Sequence, residues 1–332
     1  MIKFLIRIIA VLLIAIFTIR SGCDNEVTNG GSDIFKQLGN ASCDQYGAPP
    51  IQTVPPVTKS STCDDGIELS FLQGAVTRYA CLNYPDQADS QDYKWPLIIY
   101  LHGSLTTPES LYREGKTFFE MRNTTRLSGD DNVMGFTILS PEGRIAHPYT
   151  GTGPATGQGY HWDEWYRNTD ENLDAQAVDH FLDTVISMGK VDTNRIYVFG
   201  WSNGAFMTVL YSTWRSSRIS AMGQYAGANP WARTPCPIDI SYERKVPLFL
   251  LRNLCDKLVP CPETNQWIDT LTERNWPFKY HSLNTIGDIT LRDTCVSLTP
   301  CDGVRGLAEH IRWPKSVPLE IMLEFFRQHP LN

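Results

Sequence analysis

Three residues of this 332-residue chain have the types and the order needed for nucleophilic attack on a carbonyl carbon: Ser202, Asp256 and His310. Ser202 lies in Gly200-Trp201-Ser202-Asn203-Gly204, a match to G-x-S-x-G. In that pattern a strand turns sharply into a helix, with the serine in a strained conformation at the turn. Glycines two residues to either side keep side chains out of the turn. The helix N-terminus adds backbone N–H groups and a dipole that favour a developing oxyanion. The pentapeptide alone is also compatible with an ordinary glycine-rich turn. Its setting gives it weight, because it follows the strand-like run 195–199 and precedes a helical run from Ala205.

A hydroxyl is a weak nucleophile near neutral pH and needs a base, itself oriented by a carboxylate. With this motif the partners are expected in the order serine, acid, histidine. Three histidines follow Ser202: His281, His310 and His329. His329 comes after the last helical run and reads as a surface residue, and His281 falls within the strand-like run 278–283. His310 ends a short strand-like run, 304–309, just before Trp313-Pro314 and the terminal helix. A loop between last strand and last helix is where the base belongs, so His310 is the expected base. Asp256 lies just beyond the apolar strand 246–251, in Cys255-Asp256-Lys257-Leu258-Val259-Pro260-Cys261, where flanking cysteines could pin the loop through disulfides. Asp239 precedes that strand, and Asp288 and Asp293 lie in a later polar segment. Asp256 is therefore the expected acid.

The second oxyanion donor should come from the loop after an earlier buried strand, at Leu101-His102-Gly103-Ser104. Gly103 lets the backbone approach the substrate closely. The N–H of Ser104 (or Leu105) would join that of Asn203, while His102 reads as structural.

The elements that must position these residues alternate along the chain. Runs 96–101, 135–139, 195–199 and 246–251 are continuously apolar and read as strands buried on both faces, with 75–84 alternating like an outer strand. Leu173, Ala177, Phe181, Val185 and Met188 recur at helical spacing within 170–190, where Asn168 or Thr169 can cap the helix and Gly189 stands at its end. Residues 205–214, 262–274 and 318–326 are further helices. Buried strands separated by helices imply an α/β fold: a mostly parallel central sheet with helices on both faces. Its active site would lie beyond the C-terminal ends of the strands.

Hydrophobic residues make up 42% of the chain and charged residues 20%, as in a globular protein with a sizeable core. The net charge of −7 and the lack of a long basic run argue against nucleic acid or anionic membrane surfaces as partners. Lys3 and Arg7 precede the apolar run 8–19, which a small-residue exit follows, so residues 1–22 read as a signal peptide. A retained membrane anchor is the alternative. Ser21-Gly22-Cys23 resembles the end of a bacterial lipoprotein signal, in which the cysteine is lipidated; Arg20 stands where that motif usually carries an aliphatic residue. Besides Cys23 there are eight cysteines, Cys43, Cys63, Cys81, Cys236, Cys255, Cys261, Cys295 and Cys301, enough for four disulfides in an oxidising compartment. Residues 23–61 are rich in Gly, Asn, Ser and Pro and read as a tether with an irregular lead-in. Residues 62–332 form the expected catalytic domain.

Together these residues resemble the secreted polyhydroxybutyrate depolymerase and feruloyl esterase-like group of α/β-hydrolases, from about Gly74 to Pro330. The resemblance rests on Leu101-His102-Gly103-Ser104, Gly200 to Ala205, Asp256 with Val259-Pro260, and His310-Ile311-Arg312-Trp313-Pro314. Two residues separate His310 from Trp313 where the group more often has one, and Ala308-Glu309 replaces its usual glycines. By this resemblance Trp162-Asp163-Glu164-Trp165 is the paired-tryptophan segment in which Trp162 or Trp165 shapes the acyl pocket. The alternative for both is core or lid packing. The resemblance implies an exported esterase needing neither metal nor organic cofactor. Its substrate would be a hydroxyalkanoate ester, an ester on polysaccharide, or a smaller ester. A serine peptidase and an inactive binding protein on the same scaffold are the alternatives.

Overall fold

The computed structural model describes residues 47, 50–51, 53, 62–64, 66–88, 93–146, 149–150, 153–154, 159–232, 240, 242–286, 289–290, 295, 301 and 304–331. The signal segment, Cys23, Cys43, Cys236, Asp239, Asp288 and Asp293 lie outside the described residues.

Eight strands form one sheet: β1 (Ile67–Gln73), β2 (Val76–Asn83), β3 (Trp95–Leu101), β4 (Thr137–Pro141), β5 (Val191–Trp201), β6 (Ala221–Tyr225), β7 (Leu248–Asn253) and β8 (Phe278–Leu283). Their order across the sheet is β1-β2-β4-β3-β5-β6-β7-β8. β2 is antiparallel to both of its neighbours, and every other pair is parallel. This is the strand order of the α/β-hydrolase fold.

The helices are α1 (Glu109–Arg113), α2 (Lys116–Met121), α3 (Leu173–Ser187), α4 (Asn203–Trp214), α5 (Cys261–Glu273), α6 (Val304–Ile311) and α7 (Ser316–Arg327). The period of two along β3 sends Leu97, Ile99 and Leu101 to the face covered by α3, α4 and α5. Ile98 and Tyr100 point to the opposite face, under Leu111, Phe118 and the α7 residues Leu319, Met322 and Phe326. A sheet covered on both faces needs strands that are apolar throughout, which is why β3 and β7 are buried along their whole length.

Two local expectations are revised. Residues 304–309 are not a strand: α6 runs from Val304 to Ile311 and carries His310 in its last turn. Its apolar residues Val304, Leu307, Ala308 and Ile311 recur at helical spacing but none is buried, and the buried side carries Gly306, Glu309 and His310. An eight-residue run is short enough for helix and strand patterns to be confused. The cap of α3 is Asn172, whose side chain accepts from the Asp174 and Ala175 N–H groups, both at 3.0 Å. Asn168 instead braces the preceding turn, accepting from the Asp170 N–H at 3.1 Å.

Among the described residues three disulfides join Cys63 to Cys81, Cys255 to Cys301, and Cys261 to Cys295. The last two tie the loop around Asp256 to the stretch that leads into α6. The N-terminal lead-in also touches the body, where Gly47 bridges to Tyr166 and Thr53 to Ala146. Among the described residues, no helix is long and apolar enough to cross a membrane.

Candidate active site

β3, β5 and β7 are parallel, so the loops after Leu101, Trp201 and Asn253 emerge at the same edge of the sheet. Ser202 stands at the tightest of these exits, with φ 55° and ψ −122°, a region that L-residues rarely occupy. Such a conformation costs on the order of 1–3 kcal/mol and persists only when its surroundings enforce it. Here the Ser202 N–H donates to the Tyr225 carbonyl at 3.0 Å, and the Ser202 carbonyl accepts from Ala205 at 2.8 Å. The two glycines of the motif have a steric basis. A Cβ on Gly200 would lie 2.2 Å from the Gly204 carbonyl oxygen, and one on Gly204 would lie 2.1 Å from that of Leu101.

Ser202, His310 and Asp256 form one hydrogen-bonded line. His310 Nε2 is 2.8 Å from Ser202 Oγ, and His310 Nδ1 is 2.7 Å from Asp256 Oδ2. A carboxylate can only accept, so Nδ1 carries the imidazole proton and Nε2 is left to accept from the serine hydroxyl. The other oxygen of Asp256 accepts from the backbone N–H groups of Leu258 and Val259, at 2.8 and 2.9 Å. Both carboxylate oxygens are therefore engaged, and the carboxylate is held in one orientation. His281 lies on β8, while His329 donates from Nδ1 to the Phe325 carbonyl (2.7 Å) and is part-buried.

The turn after β3 distinguishes the two candidate donors there. The Leu105 N–H is spent on the Tyr160 carbonyl at 2.8 Å, whereas that of Ser104 has no acceptor among the described residues. Asn203 opens α4, so its N–H also lacks an intrahelical acceptor. His102 braces this turn. It donates from Nδ1 to the Gly103 carbonyl (2.8 Å) and accepts at Nε2 from the Gly143 N–H (2.9 Å). Burial pushes its pKa down to about 4, so it is a neutral structural imidazole.

The geometry divides the tryptophan pair. The Trp162 ring is buried in the core and donates from Nε1 to the His102 carbonyl at 2.9 Å. Its main chain grips the nucleophile turn: the Trp162 N–H donates to Asn203 Oδ1 (2.7 Å), and Asn203 Nδ2 donates to the Trp162 carbonyl (3.1 Å). Trp165 is only half-buried. Both line a cleft of about 120 Å³, with Ile51, Ser104, His161 and Asn203. His161 has its pKa pushed down to about 4, chiefly by burial, and its buried Nε2 has no hydrogen-bond partner among the described residues.

Sequence reasoning missed several contributors. Asn253 accepts the Cys255 N–H at 3.0 Å and donates to the Glu309 carbonyl (3.1 Å) and to Glu309 Oε2 (3.0 Å). It thereby ties the start of the acid loop to the residue before His310. The Trp201 ring donates to the His310 carbonyl at 3.1 Å, and Trp313 packs against Tyr100, Phe199, Trp201 and Tyr225. Behind the cleft, Arg78, Arg144, Asp163 and Asp174 form a buried ion network, with Arg144 Nε 3.0 Å and Arg78 Nη2 2.9 Å from Asp174 Oδ1. Burial works against the Asp174 charge, but the Arg144 and Arg78 guanidiniums hold its carboxyl below the ordinary range. Asn253, Glu309, Arg78, Arg144 and Asp174 carry no motif, and only their long-range contacts reveal them.

No protein-family model matches the chain. It is similar to an uncharacterized hydrolase of Acanthamoeba polyphaga mimivirus, at 23% identity over 242 residues, covering 66% of this chain and 72% of the relative. Among solved structures it is similar to a thermostable esterase, at 16% identity and TM-score 0.49, covering 80% of this chain and 64% of that one. A ferulic acid esterase is 14% identical with TM-score 0.47, covering 65% of this chain and 88% of that one. A Bacillus cereus carboxylesterase is 14% identical with TM-score 0.45, covering 77% and 95%.

Proposed function

We propose that this protein is a serine hydrolase that cleaves carboxylic esters through an acyl-enzyme. The observation that carries the reading is the line Ser202 Oγ to His310 Nε2 to His310 Nδ1 to Asp256 Oδ2, at 2.8 and 2.7 Å. Both distances fall within the range for general-base transfer. The similarity to a relative described as a hydrolase supports the same reaction class.

In this mechanism Ser202 Oγ attacks the ester carbonyl carbon while its proton passes to His310 Nε2. The carbonyl oxygen becomes an oxyanion that accepts from the N–H groups of Ser104 and Asn203. Asp256 holds the imidazole in the required tautomer and stabilises the imidazolium. Collapse of the intermediate breaks the carbon–oxygen bond to the alcohol, which takes the proton from His310. Water, deprotonated by the same imidazole, then attacks the acyl-enzyme, releasing the acid and restoring Ser202. The chemistry draws on no metal or organic cofactor.

We infer that residues 62–332 are the catalytic domain, that residues 1–22 direct export, and that Cys23 is a candidate lipid anchor. The three disulfides are consistent with an extracellular location. Labelling by a small fluorophosphonate, alongside parallel assays of short nitrophenyl esters and aminoacyl amides, tests the function. Wild type should label and hydrolyse esters, and Ser202→Ala should do neither. An unlabelled wild type, or amide turnover without ester turnover, would contradict the reading.

A further inference from the structure

We propose that Ile51, from the N-terminal lead-in, closes the acyl side of the cleft and restricts the enzyme to short acyl groups. This rests on the reading of Ser202 as an ester-cleaving nucleophile and adds the substrate class.

Which half of an ester the cleft takes follows from its walls. The departing alcohol must lie against His310 Nε2 to receive its proton. The cleft is walled by Ile51, Ser104 of the turn after β3, Asn203, and the segment 161–165 apart from Asp163. It adjoins Ser202 through Asn203, and no residue of α6 or of the Asp256 loop contributes. It touches both oxyanion donors, Ser104 and Asn203, but lies away from the imidazole. The group placed there is the one that stays on the serine, the acyl chain.

Its volume of about 120 Å³ sets the size. A dry cavity of about 150 Å³ accommodates benzene, so this cleft holds roughly five heavy atoms beyond the carbonyl. A phenylpropenoyl group is too large, and a butyryl-sized chain fits.

Ile51 is a fixed wall. Its N–H donates to Asp163 Oδ2 at 2.8 Å, and its carbonyl accepts from Arg144 Nη1 at 3.0 Å. The same guanidinium donates to Thr53 Oγ1 at 2.7 Å. Asp163 and Arg144 belong to the buried four-ion network, so this stretch of lead-in is clamped at both main-chain polar groups. The Ile51 side chain is buried at 7% exposure. Trimming it should open space along the cleft without releasing the backbone.

The test uses the full chain and a series of p-nitrophenyl esters from acetate to decanoate, which keeps the leaving group constant. Rates are normalised to serine titrated by fluorophosphonate. Wild type should be fastest near butyrate and fall steeply beyond hexanoate. Ile51→Ala should move the maximum by two or more carbons and raise the octanoate-to-butyrate ratio of kcat/KM about 10-fold or more, the range for a methylene-scale change in an apolar pocket. Ile51→Val should move it in the same direction by less, and Ile51→Phe should favour acetate. Variants that titrate normally yet keep the wild-type profile would overturn the assignment of Ile51. A wild type that neither labels nor turns over esters would remove the underlying hydrolase reading instead.

Discussion

Asn253 sets the spacing between acid and base. One side of its amide holds the Cys255 N–H and the other holds Glu309, 56 residues away in the chain, so it fixes Asp256, the proposed acid, against His310, the proposed base. Misplacing a reacting group by about 1 Å can cost 10²-fold in rate. Asn253→Ala should therefore lower kcat by roughly 10- to 100-fold while KM changes little, as for an interaction felt only in the transition state. Glu309→Gln keeps an acceptor for Asn253 Nδ2 and should retain most of the wild-type kcat. Steady-state kinetics on p-nitrophenyl butyrate decide the point; a proportional rise in KM would mean that Asn253 shapes the binding cleft instead. Ser202, Asp256 and His310, the proposed triad, are legible as candidates because nucleophilic catalysis demands those residue types in an order the chain displays. Asn253 and Glu309 are not, since an amide and a carboxylate acquire this role only once β7 and α6 meet.

At the scale of elements, continuously apolar strands were easy to read. The runs 96–101, 195–199 and 246–251 overlap β3, β5 and β7, because a strand buried on both faces can hold almost nothing polar. Helix α6 is harder to read: its eight residues are too few to separate helix from strand by pattern. Its apolar residues Val304, Leu307 and Ile311 lie off the buried side, which carries a glycine, a glutamate and the histidine. The Gly, Asn, Ser and Pro content of the lead-in predicts a tether. What binds Ile51 and Thr53 to the body is hydrogen bonding to buried ions, and composition does not register that. The flanking cysteines suggest disulfides that pin the Asp256 loop but do not reveal their partners, Cys301 and Cys295, through which the loop and the approach to α6 are drawn together.

For the molecule as a whole, the buried histidines set a pH limit on stability. His102 and His161 have folded pKa values of about 4, below the ordinary value of 6.5. Between those values the unfolded chain binds protons that the native state refuses, so stability is fully present above about pH 6.5 and is lost as pH falls toward 4. A shift of this size corresponds to roughly 3 kcal/mol for a fully buried imidazole. Urea unfolding measured from pH 7.5 to 4 should show this decline. His102→Gln, although less stable at neutral pH, should show about half the slope. An unchanged slope in the variant would place the pH sensitivity elsewhere.

In the proposed mechanism Ser202 carries the acyl group during turnover. Acid-quenching the enzyme within milliseconds of mixing with p-nitrophenyl butyrate, followed by mass spectrometry of its peptides, tests this directly. The account requires one butyryl group on the peptide containing Ser202, formed in step with a stoichiometric burst of nitrophenolate. Turnover with no adduct, or an adduct on any other residue, would contradict it.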